Sequence, residues 1–419
     1  MTDADSSPDR RVAVAALVVG AAAFVTLAVV LVPWDPVPGG ALTLPAPGEL
    51  FSAAELARAE SFSRWARVWG WSSLAVSLAV VVYLGLSSRV RDLAARLPGP
   101  WWMRVVLAVA LVSLVVRVAT LPFAIAGQAH RRRNGLSTQD WAGWAVDVAK
   151  NLGLSVFVTA LVLLMVIGTA RRWARAWPAV AGAVLGSLVL VGSFVYPVLV
   201  EPLFNSFEPL RQGDLRTQVL ALADQEGVPV DGVLVSDASR RTTTLNAYVS
   251  GFGGSRRIVL YDNLVDGLSP DEALSVVAHE LAHAQHDDVL IGSLLGFAGA
   301  FVATGLLGLV LGASRIRRRY ASTRVASLPV GVPLLMALVT VGGFLSGPVQ
   351  NTVSRQIETR ADVDALMATN DGATFVAMQR QLSLRALSDP TPPRWSQLWS
   401  GSHPTTLQRV AVARRLGDN

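Results

Sequence analysis

The fold of this chain is decided by a short segment that holds three of its five histidines; it reads His279-Glu280-Leu281-Ala282-His283-Ala284-Gln285-His286. Its first five residues form an H-E-x-x-H pattern. Because residues four apart share one face of an α-helix, His279 and His283 can bind one metal ion. Glu280 then lies beside that ion, where a carboxylate serves as the general base for an activated water. The pattern predicts a metal-dependent hydrolytic site on a helix.

The residues before the pattern predict that it is helical. Residues 269–272, Ser-Pro-Asp-Glu, combine a capping box, a proline at the first helical position and acidic residues in the first turn. Apolar residues then recur with helical spacing at Leu274, Val277 and Leu281. We therefore expect a helix that begins near residue 270 and carries both histidines.

A third metal ligand must come from elsewhere, because two histidines leave a tetrahedral zinc ion one protein ligand short. Glu358 and Asp362 lie four residues apart on a second predicted helix. Glu358 can bind the metal while Asp362 accepts the outer N–H of a ligating histidine. Spacing alone also allows a solvated acidic helix face. We expect His286 to lie at a helix end and not to bind the metal.

The surrounding segments resemble the gluzincin membrane peptidases, specifically the type I CAAX prenyl proteases. The resemblance is carried by H-E-L-A-H at 279–283, E-T-R-A-D at 358–362, Pro202–Leu210, Asn246–Gly251, Arg257–Asp262, Asn351–Asp362, and Ser402-His403-Pro404 followed by Arg409. It implies a zinc endopeptidase with one Zn2+ per chain, bound by His279, His283 and Glu358. The sequence departs from the family at Asp288, where a further histidine is common.

The resemblance also implies residues that contact the substrate. Asn246, Ala247 and Tyr248 then belong to a strand that holds an extended peptide by strand addition, whereas the residues alone favour an ordinary core hairpin. His403 and Arg409 resemble groups that face the substrate carbonyl and stabilise the developing oxyanion. A surface histidine and a helix-terminal arginine are the alternative for this pair.

Composition predicts that this chemistry takes place at a membrane. The chain is 52% hydrophobic and 16% charged, and it has no cysteine that could ligate a metal. Seven apolar stretches approach the ~20 residues that cross a bilayer core; they are Val12–Val32, Val68–Leu86, Val105–Ile125, Leu152–Ala170, Ala179–Leu199, Val289–Gly312 and Leu328–Val349. Arg117 lies inside the third stretch, as either a functional group or the partner of a buried carbonyl.

The chain is therefore expected to be a mainly α, polytopic membrane protein with about seven transmembrane helices and a small α+β gluzincin catalytic domain. Within its polar block, residues 215–225 predict a helix, and residues 232–236, 247–250 and 258–261 predict strands. The expected organisation is a membrane region with five spans at 1–200, a catalytic block at 201–288, two further spans at 289–350, and a helical region supplying the third ligand at 351–419.

The cellular setting is less constrained by the sequence. A net charge of +6 is compatible with anionic lipid headgroups and does not suggest a nucleic-acid partner. We expect a multi-pass protein of the cell membrane that acts on a peptide or protein substrate, either lipid-modified or membrane-embedded. The arginines and lysines of the short loops favour an external catalytic block, whereas the resemblance implies a cytosolic one. Both orientations stay open.

Two other functions were weighed against a membrane endopeptidase. A site-2-type intramembrane protease buries its H-E-x-x-H inside a span, which the capped start of the helix and the 201–288 polar block disfavour. A non-catalytic membrane protein could use zinc only to hold its domains together. Glu280 disfavours this function, because a structural site needs no base and is normally closed by four ligands.

Overall fold

A computed structural model describes residues 8–251 and 256–417 of the chain. Helices make up most of these residues; they are α1 Pro8–Leu31, α2 Pro47–Leu50, α3 Ala53–Leu86, α4 Ser88–Ala95, α5 Trp101–Arg133, α6 Trp141–Arg172, α7 Trp177–Leu199, α8 Asp214–Gln225, α9 Asp262–Gly267, α10 Pro270–Gln285, α11 Asp288–Gly312, α12 Ser314–Tyr320, α13 Val332–Thr369, α14 Gly372–Ala386, α15 Arg394–Ser400 and α16 Thr406–Gly417.

Seven of these helices are long and apolar enough to cross a membrane, namely α1, α3, α5, α6, α7, α11 and α13. They pack as a bundle in which α1 lies on α11, α11 on α7, and α7, α6, α5, α3 and α13 follow one another as neighbours. The predicted mainly α, seven-span architecture is confirmed.

Glycines allow α1 and α11 to pack backbone against backbone. A Cβ at Gly305 would lie 2.6 Å from the backbone nitrogen of Leu17, and one at Gly20 would lie 2.7 Å from Cβ of Phe301. Real side chains do not approach so closely. Small residues at such crossings let membrane helices gain van der Waals contact that larger residues would prevent.

Two helices continue further than the sequence predicts. The second apolar stretch begins at Val68, but α3 already begins at Ala53, and no proline interrupts it. Likewise α13 continues through residue 350 to Thr369, with Pro348 inside it. The loss of hydrophobicity near residue 350 ends the apolar stretch without ending the helix. This continuity lets α13 carry Glu358 directly out of the membrane bundle.

The polar block contains one four-stranded sheet, formed by β1 Phe207–Pro209, β2 Gly232–Ser236, β3 Ala247–Ser250 and β4 Arg257–Tyr261. The strand order is β1-β2-β4-β3, with β2 and β4 parallel and the two outer pairs antiparallel. The three predicted strands are confirmed. Strand β1 was missed because three residues, one of them proline, carry no alternating pattern.

Helix α10 is fixed at both of its ends and along its buried face. Ser269 caps its start, since its Oγ accepts from the backbone N–H of Glu272 at 3.3 Å and its own N–H donates to the Glu272 carboxylate at 2.9 Å. Val277 and Leu281 are fully buried in the core that underlies the sheet. Asp287, in a left-handed conformation, turns the chain from α10 into α11.

Arg117 faces a cavity of about 670 Å³ among α3, α5, α6 and α13. Hydroxyl side chains contribute to its lining, including those of Ser77, Ser113, Thr159 and Thr340. Among residues 8–251 and 256–417, no carbonyl or carboxylate pairs with the guanidinium group. Of the two expectations for Arg117, the structure therefore favours a group that faces a polar cavity over the partner of a buried carbonyl.

Candidate active site

Helix α10 presents His279 and His283 on one face, as their spacing predicts. Their rings are perpendicular with centroids 4.8 Å apart, and the two Nε2 atoms are 3.2 Å apart. Glu358 reaches the same point from α13. Its Oε2 lies 3.3 Å from Nε2 of His279, and its Oε1 lies 3.7 Å from Nε2 of His283. The three predicted ligands are thus brought together, with their ligand atoms within 4.8 Å of one another.

These separations fit a zinc ion. Bonds of about 2.0–2.1 Å at tetrahedral angles put neighbouring ligand atoms ~3.3–3.4 Å apart, which the distances of 3.2, 3.3 and 3.7 Å approach. Two imidazole nitrogens and one carboxylate oxygen are also the ligand set of many catalytic zinc sites. The side chains of His279 and Glu358 are 9% and 12% exposed, so the site is enclosed by protein on most sides.

A carboxylate lies behind each ligating histidine. Nδ1 of His279 is 3.1 Å from Oδ1 of Asp362, but the orientation of the ring does not give these two atoms the geometry of a hydrogen bond. Nδ1 of His283 is 2.9 Å from Oδ2 of Asp288. A carboxylate at Nδ1 holds the proton there and leaves Nε2 free to bind a metal. Asp362 thus lies beside Nδ1 of His279, where its predicted role requires it, and the role itself stays a prediction.

Asp288 is a residue beside the site for which the sequence predicts no role. It was noted only as a departure from the related family, yet its buried carboxylate contacts His283 and also accepts from Arg360. Helical spacing cannot reveal this contact, because Asp287 turns the chain between α10 and α11. The signal in the sequence was the position of Asp288, five residues after His283 and just beyond the end of α10.

Glu280 follows His279 in α10 and lies among the charges of the site. Burial raises the pKa of Glu280, while the neighbouring His279 and His283 act in the opposite direction. A carboxyl with a raised pKa can both take up and release a proton near neutral pH, as a general base followed by a general acid must do.

The C-terminal pair takes two different positions. Nε2 of His403 lies 3.3 Å from Oε1 of Glu358, and its side chain is 61% exposed, so it stands at the open side of the site. Arg409 is 11% exposed; its Nε donates to Asp362 at 2.9 Å and one of its terminal nitrogens donates to Glu358 at 3.1 Å. Gln379 accepts a further, longer bond from Arg409. Arg409 therefore joins the two acidic residues of α13.

The predicted substrate strand lies at an edge of the sheet. Residues 247–250 form β3, which pairs with β4 on one side, where the backbone carbonyl of Asn246 accepts from the N–H of Tyr261. In the described sheet no strand covers its other side. The side chain of Ala247 is buried, and the Tyr248 hydroxyl donates to Glu201 at 3.1 Å.

His286 does not join the metal ligands. It caps the end of α10, and its Nε2 lies 2.9 Å from a carboxylate oxygen of Asp364. The side chains of this pair are 37% and 25% exposed, which makes it a surface contact.

Two protein-family profiles match the chain in succession. The profile described as CAAX prenyl protease N-terminal, five membrane helices, matches residues 56–206, and that of peptidase family M48 matches residues 209–416. The boundary between them falls where α7 leaves the bundle and the sheet begins.

Individual relatives carry related names. The chain is 29% identical over 377 residues to an uncharacterized metalloprotease, YhfN, of Bacillus subtilis (strain 168), covering 88% of each chain. It is 29% identical over 299 residues to a CAAX prenyl protease 1 homolog of Arabidopsis thaliana, covering 70% of this chain and 69% of the relative. The crystal structure of S. mikatae Ste24p superposes with a TM-score of 0.78 at 20% identity, covering 97% and 99% of the two chains, and so has the same fold. The chain belongs to peptidase family M48, as a membrane-spanning metallopeptidase of the CAAX prenyl protease type.

Proposed function

We propose that this membrane metallopeptidase hydrolyses peptide bonds at a single zinc ion bound by His279, His283 and Glu358. The observation that carries the proposal is the spacing of the three ligand atoms, which approaches that of a tetrahedral zinc site. Asp362 and Asp288 orient the two histidines from behind. A zinc ion in this position supplies a Lewis acid that polarises the peptide carbonyl and acidifies the attacking water.

The side chains around the metal divide the remaining work. Glu280 takes a proton from the attacking water and later delivers it to the leaving amine. His403, at the open side, donates to the oxyanion that develops on the substrate carbonyl. Arg409 neutralises Asp362 and Glu358, and its terminal nitrogen near Glu358 lies close enough to the site to contribute a second positive charge to the oxyanion.

The substrate is proposed to bind as an extended peptide along the free edge of β3. Because the side chain of Ala247 is buried, this contact is made by backbone groups of residues 246–248, which allows many side-chain sequences to bind. Relatives named CAAX prenyl protease support a lipid-modified substrate; a membrane-embedded protein is the second candidate. Cleavage of one quenched peptide with and without a prenyl group on a cysteine, compared as kcat/KM, separates the two.

The proposed setting is the cell membrane, spanned by the seven apolar helices. The orientation follows either the loop charges, with the catalytic block outside, or the related family, with the block in the cytosol. Labelling of single cysteines introduced at exposed positions such as Gln285 and Arg315, on intact cells, decides between them, since the native chain contains no cysteine.

Zinc content and peptide cleavage, measured together on purified full-length protein, test the catalytic proposal. We expect wild type and Glu280→Gln to hold equal zinc, with turnover reduced at least about 100-fold in Glu280→Gln, since general bases typically contribute 10²–10⁴-fold. The matched control is Glu60→Gln, an exposed position on α3. A zinc-replete Glu280→Gln protein that cleaves at the wild-type rate would refute the role of Glu280. A tightly held zinc with no turnover of any peptide would favour the structural-zinc alternative.

The fold disfavours the alternative of a site-2-type intramembrane protease. Its defining feature is an H-E-x-x-H helix within the bilayer, whereas α10 is not among the seven helices that are long and apolar enough to cross a membrane. Glu358 extends from a membrane helix, but it lies 18 residues beyond Thr340 of the intramembrane cavity.

A further inference from the structure

A second pocket lies at the membrane face opposite the metal site. It is formed where α6 ends, α7 begins, α11 ends and the chain leads into α13. From Val332, at the start of α13, to Glu358 is about 39 Å along the helix at 1.5 Å per residue. The pocket is thus remote from the catalytic groups, and the proposed peptidase function makes no use of it.

Arginine dominates this pocket, which has a volume of about 230 Å³. Arg175 contributes from the α6–α7 turn, Arg317 from α12 and Arg324 from the segment before α13. The lining contains no acidic side chain. Within residues 8–251 and 256–417, the exposed guanidinium groups of Arg175 and Arg324 have no carboxylate partner.

Described segments beside the pocket add further positive charge. The neighbouring segments 87–104, 171–176 and 313–331 are rich in arginine, and their one acidic residue, Asp92, is already paired with Arg91 at 2.8 Å. Indole rings mark the level of the bilayer interface here. Arg171 lies over the ring of Trp101 at 5.3 Å, and Arg172 over that of Trp173 at 5.5 Å.

We propose that this arginine pocket binds the phosphate group of an anionic phospholipid. Lipid phosphates lie at this depth of the bilayer, and basic pockets between transmembrane helices recognise them. The guanidinium fork matches phosphate oxygens in a bidentate geometry that an ammonium group lacks. Apolar lining from Ala170 and Leu311 continues from the arginines towards the bundle, which suits the glycerol and upper acyl chain of a lipid better than a free phosphate ion.

Such a lipid would hold separate parts of the bundle together. Arg175 belongs to the α6–α7 turn, while Arg324 belongs to the connection between α12 and α13, so one phosphate that bridges them ties these helix ends. A ligand that binds the folded state raises its apparent stability in proportion to its occupancy. The expected signature is therefore a melting temperature that depends on anionic lipid through these two arginines.

The test uses full-length protein in zwitterionic phosphatidylcholine nanodiscs, in nanodiscs that contain phosphatidylglycerol, and in phosphatidylcholine nanodiscs with added inorganic phosphate. The pocket variant is Arg175→Gln/Arg324→Gln. The control is Arg315→Gln/Arg318→Gln, which removes the same charge from exposed positions of α12 on the same face. We expect phosphatidylglycerol to raise the melting temperature of wild type and control by several degrees, and the pocket variant to need at least about tenfold more of it for the same rise.

Three outcomes overturn the proposal: no response of wild type to phosphatidylglycerol, an equal loss of response in both double variants, or a full response to inorganic phosphate alone. The first outcome excludes an anionic phospholipid as the ligand. The second shows that general surface charge causes the stabilisation, and the third shows that the pocket binds a free anion. If the glutamine variant does not fold, Arg175→Lys/Arg324→Lys keeps the charge without the bidentate geometry. A wild-type response from that variant contradicts the proposed recognition.

Discussion

Replacing Asp288 by Asn should weaken zinc binding without removing any metal ligand. The Asp288 carboxylate holds Nδ1 of His283 at 2.9 Å and also accepts from Arg360, and its side chain is 8% exposed. Asparagine keeps the size and one acceptor oxygen but loses the charge that favours a proton on Nδ1. His283 then binds the metal with a less basic nitrogen and a less fixed ring.

The size of the effect follows from this enclosed position. Substitutions of groups that orient metal-binding histidines typically lower metal affinity 10–100-fold, which corresponds to about 1.4–2.7 kcal/mol. The nearby pair of His286 and Asp364 provides the comparison, because it has the same 2.9 Å contact but is more exposed and includes none of the three predicted ligands. Exposed ion pairs contribute about 0–1 kcal/mol, so Asp364→Asn should leave zinc affinity unchanged.

Competition with a chromogenic chelator measures the zinc affinity of wild type, Asp288→Asn and Asp364→Asn, with thermal unfolding of each protein as the check on the fold. Arg360→Gln is the further control, since it removes the second partner of Asp288 but leaves the contact with His283. Equal zinc affinity in wild type and a folded Asp288→Asn protein would refute the orienting role. Equal losses in Asp288→Asn and Asp364→Asn would show that general electrostatics, and not the contact with His283, sets the affinity.

Three other predictions concern proton competition, the C-terminal pair and helix packing. Burial alone lowers the pKa of His279, but Asp362 and Glu358 raise it to about 10 when no cation is bound. Because zinc must displace the proton that His279 then carries, zinc affinity measured by chelator competition should rise about tenfold per pH unit between pH 6.5 and 8.5. A zinc affinity that does not change with pH would contradict this prediction. His403→Ala should reduce kcat and leave the melting temperature unchanged, because the His403 side chain is exposed. Arg409→Gln should destabilise the protein by about 3–5 kcal/mol, because it leaves the buried Asp362 carboxylate without its partner. Equal melting temperatures of these two variants would contradict the prediction. Gly305→Ala should lower the free energy of unfolding by about 1–3 kcal/mol, because the added Cβ overpacks against α1. Gly299→Ala should leave the free energy of unfolding almost unchanged, because the space around its Cβ is open. Thermal unfolding of the two variants measures this difference.

The parts of the site that sequence could predict are those fixed by local geometry. His279 and His283 share a face because helical periodicity requires it, and the Ser269 cap identifies the helix that carries them. The seven apolar stretches follow equally directly from the thickness of a bilayer. Helical periodicity also puts Glu358 and Asp362 on one face, but spacing alone allowed a solvated acidic face, and the family resemblance implied that Glu358 binds the metal.

The contacts that sequence could not predict depend on turns and on helix docking. Asp288 reaches His283 across the left-handed turn at Asp287, and no periodic pattern relates them. The docking of α16 on α13 brings Arg409 into contact with Asp362 and Glu358, and no sequence pattern predicts these bonds. The exposed edge of β3 likewise depends on the strand order of the sheet, which short strand signals do not determine.

The continuity of α13 gives the metal site a mechanical dependence on the membrane bundle. The helix lines the intramembrane cavity at Thr340, supplies Glu358 to the metal and holds Asp362 behind His279. The other two ligands belong to α10, which is held by the sheet and the core beneath it. A shift of α13 relative to α10 therefore changes the distance from Glu358 to the two histidines, and it also strains the contacts of Asp362 with His279 and of Asp364 with His286. Anything that repositions α13 in the bilayer, including a ligand that clamps the segment before it, should thus alter metal affinity and turnover together, whereas an effect confined to substrate binding would act through β3 alone.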